Sequence, residues 1–262
     1  MATRTLLTVL AWLVIAFLLL PVVIVIPMSF SDANYLEFPP TNWSLRWYRE
    51  FFSSYEWTHS ARNSLMIAAT TVLVATPAGF LAAYRIKRSA GWRRNVLFLW
   101  LLSPQLMPVI LLSIGVFFLY IRLRLVDTFL GIVLAHVALA IPFVVTVCLA
   151  GLARVDDHLE FAARSLGAGK LRAIFDVVLP QMKISLFAGA LFAFVSSLDE
   201  VVIGLLVAGG DNIVLTRQMF VSLREHIDPT IAAISTLLIM ISLVAVVVFV
   251  AVERNAMRRE RG

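Results

Sequence analysis

The chain has 262 residues, of which 61% are hydrophobic and 15% charged, with a mean hydropathy of +0.92. No water-soluble domain hides that much apolar surface, so this is an integral membrane protein whose side chains are solvated by lipid or by one another. The net charge of +6 follows from membrane topology and calls for no nucleic acid or acidic substrate.

Six segments are long and apolar enough to supply the ~20 helical residues that cross a hydrocarbon core. They are 6–28, 64–84, 96–120, 129–152, 184–208 and 231–252. In lipid the backbone must bond within its own segment, so these are helices; barrel strands would be ~10 residues long and alternating. Pro21, Pro77, Pro104, Pro108 and Pro142 fall inside spans and predict kinks rather than ends. The first span starts after Arg4. It outruns the roughly 7–15-residue apolar core of a signal peptide and lacks a small-x-small cleavage site, so it reads as a retained anchor.

Segment 29–61 carries Trp43, Trp47, Tyr48, Phe51, Phe52 and Trp57. It reads as an aromatic belt on a short helix at the outer surface, or as a platform for an external partner or cationic ligand. The basic loop 85–95 reads as a topology determinant. Gln105, between Pro104 and Pro108, either lines a path or bonds a backbone group freed by proline.

The polar interruption 156–180 reads DDHLEFAARSLGAGKLRAIFDVVLP. Leu159, Ala162, Ala163 and Leu166 fall on one face of a short helix. Asp157 with Glu160 gives a capping-box-like start, and Gly167 a stop. A second apolar face follows at Leu171, Ile174, Phe175 and Val178, closed by Pro180. Two small amphipathic helices broken at glycine make a knob, and a knob on a membrane protein suggests a soluble partner. Phe161 lies on the opposite face from Leu159, Ala163 and Leu166. It is either an anchor for that partner or a side chain dipping into lipid headgroups.

Asp199 and Glu200 lie in the outer half of the fifth span, at a depth where each ionisable group costs at least ~2.5 kcal/mol. Ser196 shares their helix flank, beside a stripe of Gly189, Ala193, Ser197 and Gly204 that lets a neighbour approach. The acidic pair is either a cation-attracting point on a translocation path or an interhelical lock. Segment 209–228 is external and ends in Asp228-Pro229, a cap and first position for the last span.

Lys and Arg set the orientation. One side holds Arg4, then Arg85, Lys87, Arg88, Arg93 and Arg94, then Arg154, Arg164, Lys170, Arg172 and Lys183, then Arg254, Arg258, Arg259 and Arg261. The other holds only Arg46, Arg49, Arg62, Arg122, Arg124, Arg217 and Arg224. Both termini and the knob are therefore expected in the cytoplasm.

The chain carries no signature of catalysis. Gly169-Lys170 is not a phosphate loop, because Arg164 stands where the first glycine belongs and Leu171 where the magnesium-binding hydroxyl belongs. Any ATP energy has to come from another subunit. Cys148 is the single cysteine, so no intrachain disulfide forms. His59, His136, His158 and His226 show no metal-ligand spacing, and His136 reads as an interhelical contact.

Ala162-Ala163, Gly167-Ala168 and, after a fixed interval, Val177-x-Leu179-Pro180 resemble the EAA loop of permease subunits of ATP-binding-cassette importers. NWSLRWYREFF, NSLMIAATTVLVATPAGFLAAY, SPQLMP and SLDEVVIGLLVAGG extend the resemblance over most of the chain, towards the smaller permease of spermidine/putrescine-type importers. The resemblance implies an all-α integral membrane fold of the type I importer permease kind, with six transmembrane helices and a cytoplasmic coupling helix between helices 4 and 5. It implies a single domain over 1–262: a first helix and external loop to residue 60, a core over 61–252 and a basic tail over 253–262.

The coupling helix would fall on about 157–169 and seat in a groove of an ATPase. By position the coupling residues would be Asp157, Glu160, Phe161, Ala162, Ala163, Arg164, Gly167, Ala168, Lys170 and Pro180. The family's glutamate before the Ala-Ala pair is Phe161 here, with Glu160 one place early. Asp199, Glu200, Ser196 and Gln105 would face the substrate path. The implied assembly is a heterodimer with a second permease in a bacterial inner membrane, two cytoplasmic ATP-binding subunits that use ATP and magnesium, and an extracytoplasmic solute-binding protein. The chain itself would bind no cofactor, and polyamine is the leading solute class. A secondary transporter or channel working without ATPase, an importer of another small organic solute, and a membrane anchor remain as alternatives.

Overall fold

The computed structural model describes residues 2–225 and 227–259. His226 and Arg261 lie outside the described residues, as do the side chains of Arg258 and Arg259. The described residues are helical apart from loops and one isolated bridge between Ser31 and Trp43. Five helices are long and apolar enough to cross a membrane, or six if one bent pair counts as a single span. The chain divides into two compact units, 1–59 with 218–244 and 60–217 with 245–262.

The first unit holds α1 (Ala2–Met28) and α2 (Arg46–Ser53). α1 is apolar on every side, as a helix that meets lipid or a partner is. The aromatic belt expected on α2 is only partly one. Trp47, Phe51 and Trp57 are buried, while Trp43, Phe52 and Tyr55 stay exposed. The Ser29 hydroxyl lies 2.7 Å from the Tyr48 hydroxyl, and Phe30 packs on Tyr48 and Trp43. Half of these rings are thus core, because a short helix must bury one face to hold its place.

α3 (Tyr55–Lys87) is 33 residues long, about 50 Å at 1.5 Å per residue, so it outreaches a ~30 Å hydrocarbon core. Its last turn can therefore carry polar chemistry. The third expected span is not one helix. α4 (Gly91–Leu106) and α5 (Val109–Leu123) meet at a 98° bend. Pro108 has no N–H to donate and holds Met107 extended (φ −94°, ψ 144°), so the helix ends there instead of kinking.

α6 (Phe129–Leu152) is the hub of the second unit. Thr128 caps it, its hydroxyl accepting from the Gly131 N–H at 3.0 Å. Val144 of α6 meets α3 at Gly79, where a Cβ would stand 2.6 Å from the valine methyl. Glycine is what lets these helices close. His136 Nδ1 and Ser197 Oγ, 2.7 Å apart, join α6 to the fifth span as a buried hydrogen bond.

The knob comprises α7 (Asp157–Ser165) and α8 (Lys170–Ala173). A π-helical turn, Ile174–Val178, leads from α8 into α9 (Leu179–Leu198). Pro180 does not close a helix, as its sequence position suggested. It sits in the first turn of α9, and the wider π turn relieves the clash its ring would make with the preceding turn.

The fifth expected span also breaks. α9 stops at Leu198, and α10 (Val202–Val207) starts after a three-residue interval. The small-residue stripe therefore ends at Ser197, and Gly204 belongs to a different helix. α11 (Leu215–Glu225) and α12 (Thr230–Arg259) complete the chain. The Asp228 carboxylate accepts from the Thr230 N–H at 2.8 Å, the cap its position suggested. α12 continues into the segment expected to be a tail, as far as Arg259.

Candidate functional site

Two places gather the residues singled out in the sequence. The first is the knob. α7 is capped by Asp156, not Asp157: the Asp156 carboxylate accepts from the His158 N–H at 2.9 Å. That frees Asp157 and Glu160 for other partners. Gly167 ends the helix at φ +94°, with Gly167 N–H bonded to Arg164 O and Ala168 N–H to Ala163 O, both at 3.1 Å. This is the paired closure that a left-handed residue allows, and glycine adopts it without strain.

The faces of α7 are not the ones its periodicity suggested. Glu160 is the buried residue, 3% exposed. The apolar set expected inside faces out: Leu159 is half-exposed, Leu166 is 89% exposed, and Ala162 is exposed with Ala163 only half-buried. Phe161 is 72% exposed, as expected. The second face divides, with Ile174 and Val178 buried and Leu171 and Phe175 exposed. Arg164 and Lys170 are exposed around this apolar surface, and Ala168 is half-buried.

A clamp explains the inversion. The Tyr84 hydroxyl, in the last turn of α3, donates to Glu160 Oε1 at 2.7 Å, and Arg88 pairs with Glu160 Oε2. Lys87 Nζ lies 2.7 Å from Asp157 Oδ1 and donates to the carbonyls of Leu152 at 2.7 Å and Val155 at 3.1 Å. Its three N–H bonds are thereby all used. Arg88 lies 3.4 Å from Asp157 Oδ1. The hydrogen bond from Lys87, with the charges of Lys87 and Arg88, holds the Asp157 carboxyl below its ordinary value against partial burial. Burial works to lower the Arg88 value, but the Glu160 and Asp157 carboxylates outweigh it and raise it. Glu160 turns inward because a buried carboxylate has to be paired, and Tyr84 and Arg88 supply its partners there.

The second place is the break in the fifth span. The Glu200 carboxylate accepts from the Val202 and Ile203 N–H groups at 2.9 and 3.0 Å, and the Thr216 hydroxyl donates to the Glu200 carbonyl at 2.9 Å. These bonds replace helical ones and stop α9. Ser196, Asp199 and Glu200 therefore do not share one helix flank, because the helix ends between them. Asp199 is exposed at the end of α9, and its carboxylate has no partner among the described residues. Gln105 is exposed beside the 98° bend, and no hydrogen bond joins it to the acidic pair.

The family model described as "Binding-protein-dependent transport system inner membrane component" matches residues 75–261. The chain belongs to this family. It is a multi-pass ABC importer permease, a transport component rather than an enzyme. It is 28% identical over 249 residues to the spermidine/putrescine transport system permease protein PotC of Haemophilus influenzae, covering 93% of this chain and 95% of the relative. It is 30% identical over 242 residues to the putrescine transport system permease protein PotI of Escherichia coli K12, covering 90% and 85%. Its fold is similar to a chain in the crystal structure of a bacterial alginate ABC transporter in complex with an alginate pentasaccharide-bound periplasmic protein. The TM-score is 0.71 at 15% identity, covering 98% of this chain and 94% of that one.

In this permease the residues that sequence reasoning missed are Tyr84, Lys87 and Arg88. The basic segment 85–95 read as a topology signal, and two of its residues, Lys87 in the last turn of α3 and Arg88 just after it, join Tyr84 as half of the clamp. A tyrosine and two cations at the end of a long helix, with two acids three residues apart opening the next polar helix, is the pattern that could have pointed to it.

Proposed function

We propose that the chain is one of two permease subunits of an ATP-driven importer for a small organic cation, with polyamines the leading class. One observation carries the reading: Phe161, Leu166, Leu171 and Phe175 are bare on a knob whose inward side is held by ion pairs. Apolar side chains presented that way are stable when a partner covers them. In a binding-protein-dependent family, a soluble partner that supplies energy fits that surface. The assembly would hold a second permease, two ATP-binding subunits that use ATP and magnesium, and an extracytoplasmic solute-binding protein. The excess of Lys and Arg beside the knob supports a cytoplasmic position for the knob and both termini.

Polyamine as solute is supported by the names of PotC and PotI and by Asp199, an acid with no partner among the described residues, at the break of a span. A cationic solute is drawn to such a carboxylate where water and lipid compete weakly. Glu200 serves the fold, as the cap of α10. Labelled putrescine uptake into vesicles holding the native complex tests the reading. We expect an ATPase to co-purify with the wild-type chain, and Asp199→Asn to assemble normally while uptake falls about tenfold. Wild-type uptake in that variant would remove Asp199 from the path. A native complex without a nucleotide hydrolase would end the ATP-driven reading.

A further inference from the structure

We infer that the five-residue cluster Tyr84, Lys87, Arg88, Asp157 and Glu160 is a transmission clamp that makes the knob and the end of α3 move as one body. The inference rests on the reading that the knob seats on an ATPase. Glu160 would then act inside the chain as a positioning residue, and the outward contact is left to Phe161 and its apolar neighbours.

The connectivity requires such a clamp. α7 leaves α6 through the short turn 153–156, which on its own would let a nine-residue helix pivot. Its far end is better tied, since α8 runs through the π turn into α9 with Ala173, Ile174 and Val178 buried. A push on Phe161 therefore reaches α9 along the chain and α6 through a short turn that can pivot, but reaches α3 only through side chains. Glu160 holds two α3-side donors at once, Tyr84 at 2.7 Å and Arg88. Lys87 ties Asp157 to the last carbonyls of α6 in the same cluster. Two acids and three donors leave no slack, because Lys87 has spent all three N–H bonds and Arg88 bridges both carboxylates. The Arg88 guanidinium and the Lys170 ammonium also lie 5.5 and 6.0 Å from the Tyr84 ring, so α8 touches the same cluster. Three spans are thus tied to one small lever.

The test uses the whole complex with its ATPase, reconstituted in vesicles. Spin labels placed by Arg85→Cys and His158→Cys, both at exposed positions, read the distance from α3 to α7, and the buried Cys148 does not take up label. We expect that distance to be the same in the nucleotide-free and ATP-bound complexes. Glu160→Gln should retain the ATPase, while the solute moved per ATP hydrolysed falls about tenfold, the loss of one strong charge-assisted bond. A label distance that changes with ATP, or a Glu160→Gln complex with wild-type solute per ATP, overturns the clamp. Should Glu160→Gln not assemble, Tyr84→Phe removes a single hydroxyl and takes the same readout, with lowered solute per ATP expected and an unchanged ratio overturning the inference. A wild-type chain that retains no ATPase overturns the docking reading itself, a failure distinct from either of these.

Discussion

The two ends of the second unit are held by different chemistry. At the end with Lys87, charged side chains grip one another: Lys87 and Arg88 on Asp157, and Arg88 and Tyr84 on Glu160. At the end with Asn63, short polar side chains grip backbone. Asn63 donates to the carbonyls of Asp211 and Ile213 at 2.8 and 3.1 Å, the Ser64 hydroxyl accepts from Leu215 N–H at 2.8 Å, and Asn212 donates to Asp127 O at 2.8 Å. Side chain to backbone bonds stitch irregular loops whose own polar groups would otherwise go unmet. Paired charges join regular elements and leave their outer faces bare. One end is closed upon itself, with Asp199 left over; the other is braced from within and unfinished outside.

The sharpest way to break that contrast is to cut the brace. Glu160→Ala leaves Arg88 and the Tyr84 hydroxyl without their buried acceptor. Because Arg88 is partly exposed, the expected loss is about 2 kcal/mol rather than the larger penalty of a fully buried pair. Thermal unfolding in detergent measures it, and a wild-type midpoint would show that the brace adds nothing to stability. At the opposite end Ser64→Ala should cost about 1 kcal/mol, since it orphans one buried N–H and no charge. A loss there equal to that of Glu160→Ala would erase the distinction between the ends.

Glu200→Ala should cost a further amount in the same range, about 1 kcal/mol for a lost cap. Asp199→Asn should leave stability unchanged, because no described residue bonds that carboxylate. Equal destabilisation by the two would make them one structural pair. The smallest effect is acid sensitivity confined to the knob. The folded Asp157 carboxyl sits below its ordinary value of 3.8, so its stabilisation is present above that value and drains away as the pH falls through the lower folded one. Hydrogen exchange of α7 amides should speed up in that window, and Asp157→Asn should flatten the dependence. Exchange that accelerates equally in the variant would assign the acid response elsewhere.

Much of the molecule was legible in its residues. The apolar segments had the length of spans, Gly167 marked a helix end, Asp228 marked a start, His136 was an interhelical contact, and Phe161 stood outside. The breaks at Pro108 and at Asp199–Val201 were harder to see. Hydropathy does not register a backbone turning aside, and Glu200 reads as a costly charge until its carboxylate is found on two N–H groups. Periodicity also misplaced the faces of α7, because it assigns leucine inward by default. Here Glu160 goes inward, since its partners wait in another helix far away in sequence.

Composition and pattern by themselves determined that this chain crosses a membrane as helices, that a polar knob interrupts them, and that the knob has the spacing of a permease loop. These properties are local, set by the solvent each segment prefers and by the backbone its residues allow. Only the tertiary structure decided which acids serve the fold and which stay available. A carboxylate's role depends on what lies within about 3 Å of it in space, and residues distant along the chain supply those neighbours.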